Sequence, residues 1–277
     1  MTESLNLDRR GYSRLKMNRL SLLETWQAGP RPLIVAHRGA SRAAPENTIV
    51  AFRRAVDLGA DGIEFDVQRI ADGSLVVFHD ATLERTTNER GPVQATALAD
   101  LKGFDAGGWF GASFRGEQIP TLEEAVAAIP PSVRLFVEIK LGPVFDEEIE
   151  RALAESLKQT GALARCEVSS FDHVSLRRFK RVAPETPTGI LFSGRLIDPV
   201  AAARLAGAEA MHPAWDLIHP DLMPTAHAQG LAVVAWTVNA PEEIERLAAI
   251  GVDALMTDVP DVARRVEEHA VVEPGLL

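Results

Sequence analysis

Residues 33–40 read LIVAHRGA, residues 44–60 read APENTIVAFRRAVDLGA, and residues 61–80 read DGIEFDVQRIADGSLVVFHD. Leu33 to Ala36 is short, apolar and partly β-branched, the composition of a strand buried on both faces. His37-Arg38-Gly39 ends it with polar residues. Asn47 is a good N-cap. Ile49, Phe52, Ala55 and Val56 then recur at helical spacing up to Gly59, a residue suited to the position after a helix. Gly62 to Val67 is a second strand, and Leu75 to Phe78 a third apolar run that stops at His79-Asp80.

The alternation continues to the C-terminus. A helix begins at Thr121-Leu122 and is stopped by Pro130-Pro131; a strand from Arg134 to Lys140 and a helix from Asp146 to Gln159 follow. Strands at Cys166 to Ser170, Thr188 to Phe192, Glu209 to His212, Leu231 to Val238 and Ala254 to Met256 come next. Their helices lie near His173 to Val182, Asp198 to Leu205, Asp221 to Ala228 (with Pro220 as its first residue), Pro241 to Ala249 and from Pro260. With the Leu75 run set aside, eight strands each carry a helical segment, which predicts an α/β fold, a (β/α)8 TIM barrel. The alternative, an open doubly wound sheet, lacks a GxGxxG loop after its first strand.

The Leu75 run follows the second strand too closely for a helical crossover. It reads as an extension that carries His79 back over the barrel mouth. The segment from about 81 to 118 scatters Gly91, Gly103, Gly107, Gly108, Gly111 and Gly116 among Trp109, Phe110 and Phe114. It is too long and irregular for an ordinary βα loop; that it is a small insertion after the second strand is implied by the resemblance given below. Residues 1–30 form a lead-in in which Leu15, Leu20, Leu22, Leu23 and Trp26 suit a short amphipathic helix packed on the domain. A helix lying on a membrane surface is the other reading of the same residues. The barrel domain then spans residues 31–277.

Composition narrows the function. Of 277 residues, 46% are hydrophobic and 25% charged, ordinary for a globular domain. The net charge of −10 argues against a general nucleic-acid binder. It leaves room for a phosphate-bearing substrate, because a bound cation reverses the local field. The single cysteine, Cys166, excludes an intramolecular disulfide and reads as a small core residue. No run reaches about 18 apolar residues, so stable membrane insertion by a helix is not expected. The N-terminus lacks the apolar stretch of a secretory signal, and a cytoplasmic location is expected. Oligomeric state is not legible.

The polar residues cluster at strand ends, where a barrel bears its chemistry. Glu64 and Asp66 are two apart on one strand and face the same side. If that side is the interior, two carboxylates enter a core, which is costly unless a cation meets them. Such paired oxygens suit a hard divalent ion. Glu138 and Lys140 also share a face, either as a third oxygen ligand beside a lysine or as an ion pair at the barrel rim. His37 and His79 come from different strand ends. They could flank one point as an acid–base pair, or each be a hydrogen-bonded strand-end histidine. Arg38 has a donor fork that fits phosphate oxygens, with a salt bridge to Glu46 or Asp66 as its plainer role. Trp236 could be core or cavity wall. Glu46 and Asn47 suit ordering of the His37 loop; His173, His212 and His219 are left out of the site.

In order and spacing, HRGA (37–40), PENT (45–48), the Glu64-Phe65-Asp66 motif and His79-Asp80 resemble the glycerophosphodiester phosphodiesterase family, and the resemblance runs from about residue 33 to 262. It implies metal-dependent hydrolysis of a small-molecule glycerophosphodiester, such as glycerophosphocholine, to sn-glycerol 3-phosphate and an alcohol. It implies Glu64, Asp66 and Glu138 as ligands of one divalent cation, Mg2+ or Ca2+ with Mn2+ as a further option. His37 and His79 would be the acid–base pair. Arg38 and Lys140 would bind the phosphate, Trp236 would line the substrate pocket, and the 81–118 insertion would cap the active site. Two alternatives stand beside it: a phospholipid-directed phosphodiesterase of the same barrel type, and a barrel that binds a phosphodiester without turning it over.

Overall fold

A computed structural model describes residues 32–140, 142 and 146–272; the proposed lead-in helix around Leu15 to Trp26 lies outside the described residues. The strands are β1 (Leu33–His37), β2 (Gly62–Arg69), β3 (Leu75–Val77), β4 (Arg134–Ile139), β5 (Cys166–Ser170), β6 (Thr188–Phe192), β7 (Ala210–Pro213), β8 (Ala232–Ala235) and β9 (Ala254–Thr257). Eight of them pair in parallel in the order β1-β9-β8-β7-β6-β5-β4-β2, and β1 pairs with β2 to close the ring. The predicted (β/α)8 barrel is therefore present. β3 lies outside the ring, antiparallel to the far end of β2, and returns the chain to the mouth as the Leu75 run implied.

Period-two alternation explains where the apolar residues go. Ile34, Ala36, Ile63, Phe65, Leu135 and Val137 point outward and pack with Phe52, Leu122, Leu153 and Phe179 of the surrounding helices. The inward residues Val35, Phe136, Ala210, Ala232, Val234, Ala254 and Met256 form a separate, smaller cluster. Cys166 is buried in the outer layer, as its sequence context suggested. A third cluster, of Ile70, Val76, Phe78, Leu83, Val93, Leu101, Ala106 and Ile119, lies beneath the 81–118 segment and anchors it to β3. Within that segment the Asp105 carboxylate accepts the backbone N–H groups of Gly107, Gly108 and Gly116.

A polar pair lies inside the barrel. His212 and Glu167 are fully buried, and His212 Nε2 lies 2.6 Å from Glu167 Oε1. His212, which ends a strand in sequence, thus sits inside the barrel and not at the mouth. Gly189 makes room for the pair: a Cβ there would stand 2.4 Å from His212 Nε2 and 2.5 Å from Glu167 Oε1. Gly189→Ala is expected to cost about 1–3 kcal/mol through overpacking. The check is a urea midpoint at unchanged slope; a midpoint equal to wild type would show that the packing around this pair has slack.

Three helix starts differ from expectation, and the one placed at Asp146 comes at Ile149. Thr48, not Asn47, caps the helix Ile49–Asp57, its side chain accepting from the Ala51 N–H at 3.3 Å. Asn47 instead adopts φ 57°, a left-handed conformation that asparagine tolerates, and its side chain is taken by Asp66. The helix expected to start at Pro220 begins at Leu222, after Asp221.

Candidate active site at the barrel mouth

Strand register assembles the site. β1 and β2 set His37 level with Glu64, and β2 and β4 set Asp66 level with Glu138. All four face inward; His37 and Glu138 lie at or next to the C-terminal ends of β1 and β4, and Glu64 and Asp66 sit level with them in the longer β2. One ligand oxygen each from Glu64, Asp66 and Glu138 fall within 4.8 Å of one another. Burial and the charges of Asp66 and Glu138 push the Glu64 carboxyl well above its ordinary range. Burial and Asp66 push Glu138 up to about 7. Asp66 goes the other way: against burial, the charges of Arg38, Lys140 and His79 and a hydrogen bond from Asn47 hold it down to about 2.

Two cations face these three acids. The φ of Arg38 is 55°, which aims its backbone N–H at Glu64 Oε2, 2.9 Å away. Its guanidinium donates to Glu46 Oε1 at 2.8 Å, with Nε 3.3 Å from Asp66 Oδ2. Lys140 Nζ donates to Glu138 at 2.7 Å and stands 3.5 Å from Asp66 Oδ1. The ion-pair alternatives for Arg38 and for Glu138–Lys140 are thus present, and they coexist with the carboxylate cluster. Buried Asp66 Oδ1 accepts no hydrogen bond among the described residues. An orphaned acceptor inside an all-oxygen donor set, with two carboxyls pushed up by burial and by neighbouring carboxylate charge, fits a hard divalent cation.

Each histidine is held by a carboxylate. His37 Nδ1 lies 2.8 Å from Asp258 Oδ1, and Asp258 also accepts from Ser41 and Asn239. His79 Nδ1 lies 2.6 Å from Asp80 Oδ1. Carboxylates only accept, so Nδ1 carries the proton in both rings and a neutral ring presents Nε2 as its free base. Burial, together with the charges of Arg38 and Lys140, pushes His79 below the usual imidazole range against the pull of Asp66 and Asp80.

Both histidines, Arg38, Glu64, Glu138 and Lys140 line one open cavity, with Ser169, Phe171, Leu191, Trp236 and Met256. Asp66 lies just behind this lining. The Trp236 ring meets Phe171 edge-on at 5.5 Å, and its indole N–H donates to the His212 carbonyl, so it is a cavity wall held in place. Every residue singled out from sequence is thus brought together. Asp258 and Phe171 were missed. Both follow a strand end directly, and that position was the available signal. His173 Nε2 lies 2.9 Å from the Leu191 carbonyl and does not line the cavity, and exposed His219 faces Asp221.

Comparison with known proteins gives the class, a phosphoric diester hydrolase. Residues 37–262 match the model of the glycerophosphoryl diester phosphodiesterase family. The chain belongs to that family and is an enzyme of its kind. A glycerophosphodiester phosphodiesterase of Caldanaerobacter subterraneus is 43% identical over 232 residues, covering 83% of this chain and 96% of its own. One from Bacillus subtilis is 32% identical, covering 86% of this chain and 87% of its own. Among solved structures, an Oleispira antarctica phosphodiesterase in complex with the product sn-glycerol-3-phosphate has a TM-score of 0.82 at 32% identity, covering 86% of this chain and 97% of that one.

Proposed function

We propose that this chain hydrolyses glycerophosphodiesters to sn-glycerol 3-phosphate and an alcohol, with one divalent cation and two histidines. The observation that carries the proposal is the convergence of His37, His79, Arg38, Lys140 and three carboxylates on one cavity. Its product is that found in the Oleispira relative. Residues 31–277 act as one catalytic domain, with the segment of about 81–118 capping the mouth. The described residues contain no helix long and apolar enough to cross a membrane. A small diester reached from the cytoplasm is the fitting substrate, and the lone buried thiol of Cys166 is at home in that compartment.

Glu64, Asp66 and Glu138 would hold the cation, which when bound supplies Lewis-acid charge against the phosphoryl oxygens. Arg38 and Lys140 grip the phosphate and offset charge that develops on it. One imidazole takes a proton from the attacking hydroxyl as the new P–O bond forms. The other gives a proton to the leaving alkoxide as the old bond breaks. Asp258 and Asp80 hold the two rings in the Nδ1–H tautomer throughout. Phe171 and Trp236 pack against the glycerol carbons.

The test is release of glycerol 3-phosphate from glycerophosphocholine by the protein supplied with Mg2+, Ca2+ or Mn2+. Release is expected with at least one ion. None with any ion, from folded protein, would overturn the proposal, and a phospholipid panel with a ligand-binding assay would then separate the two alternatives.

A further inference from the structure

Arg85 has no part in the mechanism above, yet it touches two residues that support it. It lies in the insertion, and its guanidinium spans two carboxylates. Nε and Nη2 donate to Asp80 at 2.6 and 3.0 Å, and Nη1 and Nη2 donate to Glu46 at 2.7 and 2.8 Å. Asp80 is the carboxylate that holds His79, and Glu46 is the one that holds Arg38. The contacts therefore run unbroken from His79 through Asp80, Arg85 and Glu46 to Arg38. Resting on the proposed roles of His79 and Arg38, we propose that Arg85 is a positioning residue. It locks the acid–base imidazole and the phosphate-gripping guanidinium into one frame.

The chemistry of the side chain supports this. A guanidinium is planar and offers donors in a fixed fork, so it sets two carboxylates at a defined separation; a lysine would supply only a point charge. Asp80 follows β3 and Glu46 lies in the loop after β1, and no hydrogen bond joins them directly. Without the bridge they are two like charges free to separate. The Arg85 side chain is 44% exposed, and partly wet ion pairs contribute little to stability. The insertion has its own apolar core to hold it down. Arg85 is thus placed to affect geometry at the reacting centre more than folding.

The experiment uses the full chain with its activating cation. Arg85→Ala is expected to lower kcat by about 100-fold, the cost of a small misplacement of a reacting group, with an unchanged melting temperature. Arg85→Lys is expected to recover little of it, and free guanidinium ion to restore part of the activity of Arg85→Ala. In an Asp80→Asn background Arg85→Ala should have only a small further effect on kcat, because both changes release the same imidazole. Kinetics within twofold of wild type, or fully additive effects with Asp80→Asn, would overturn the proposal. A second readout is independent of turnover: the imidazole NMR signals of His79 should shift in Arg85→Ala while those of His219 stay in place. Unmoved His79 signals overturn the proposal whatever the activity. Shifted signals in a protein inactive on every diester would support the bridge and overturn the functional reading instead.

Discussion

Replacing His37 or His79 with alanine is expected to lower kcat by about 10²–10⁴-fold, the usual contribution of a general acid or base, while the barrel stays folded. The side chains of His37 and His79 are 19% and 30% exposed, so neither removal opens a sealed cavity. Neither strands its carboxylate. Asp258 keeps Ser41 and Asn239, and Asp80 keeps Arg85. The two rings act as one unit in a single proton-relaying reaction, so the double variant should lose little more than the worse single one. His219→Ala, far from the cavity, is the control and should behave as wild type. The measurement is glycerol 3-phosphate release alongside a thermal melt. Near wild-type turnover in either histidine variant would remove that residue from the acid–base pair.

Removal of the divalent cation with EDTA is expected to lower turnover by about 10³-fold or more, given the transition-state charge such an ion offsets. Activity should return when Mg2+, Ca2+ or Mn2+ is restored singly. Stability should respond as well. The native protein raises the Glu64 and Glu138 carboxyls, so each favours the folded state while protonated. That contribution is lost as pH climbs from the ordinary 4.5 through about 7 for Glu138. The metal-free protein should therefore weaken across this window. A cation that binds only the folded state adds about 2.7 kcal/mol at a hundredfold excess over Kd, or about 5–10 °C in melting temperature for a chain of this size. Its ligands must be deprotonated, so the gain should grow with rising pH. Glu64→Gln should abolish most of the gain. A melting temperature that ignores the cation at every pH would argue that the three carboxylates do not bind one.

The sequence by itself determined the ring of eight strands, because strand and helix periodicities are local and each βα unit repeats them. It also determined which charged residues of the mouth share a face, while barrel closure decided that this face is the inner one. Glu64 with Asp66, and Glu138 with Lys140, are spaced by two on strands whose intervening residues are apolar. A strand with that pattern can bury its apolar side only by turning the charges together. Local reasoning failed first at Asn47: it fits an N-cap by propensity, but Asp66 claims its side chain and Thr48 takes the cap.

Tertiary structure decided the partners. Asp258 reaches His37 across 221 residues of sequence because β9 closes the barrel onto β1. His212, a strand-end histidine in sequence, is buried against Glu167 because barrel closure turns it inward over Gly189. Arg85 meets Glu46 only because β3 folds back along β2 and delivers the insertion to the rim. These pairings depend on ring closure and register between distant strands. No local periodicity encodes those, because the side chains that meet are brought into range only by the assembled fold.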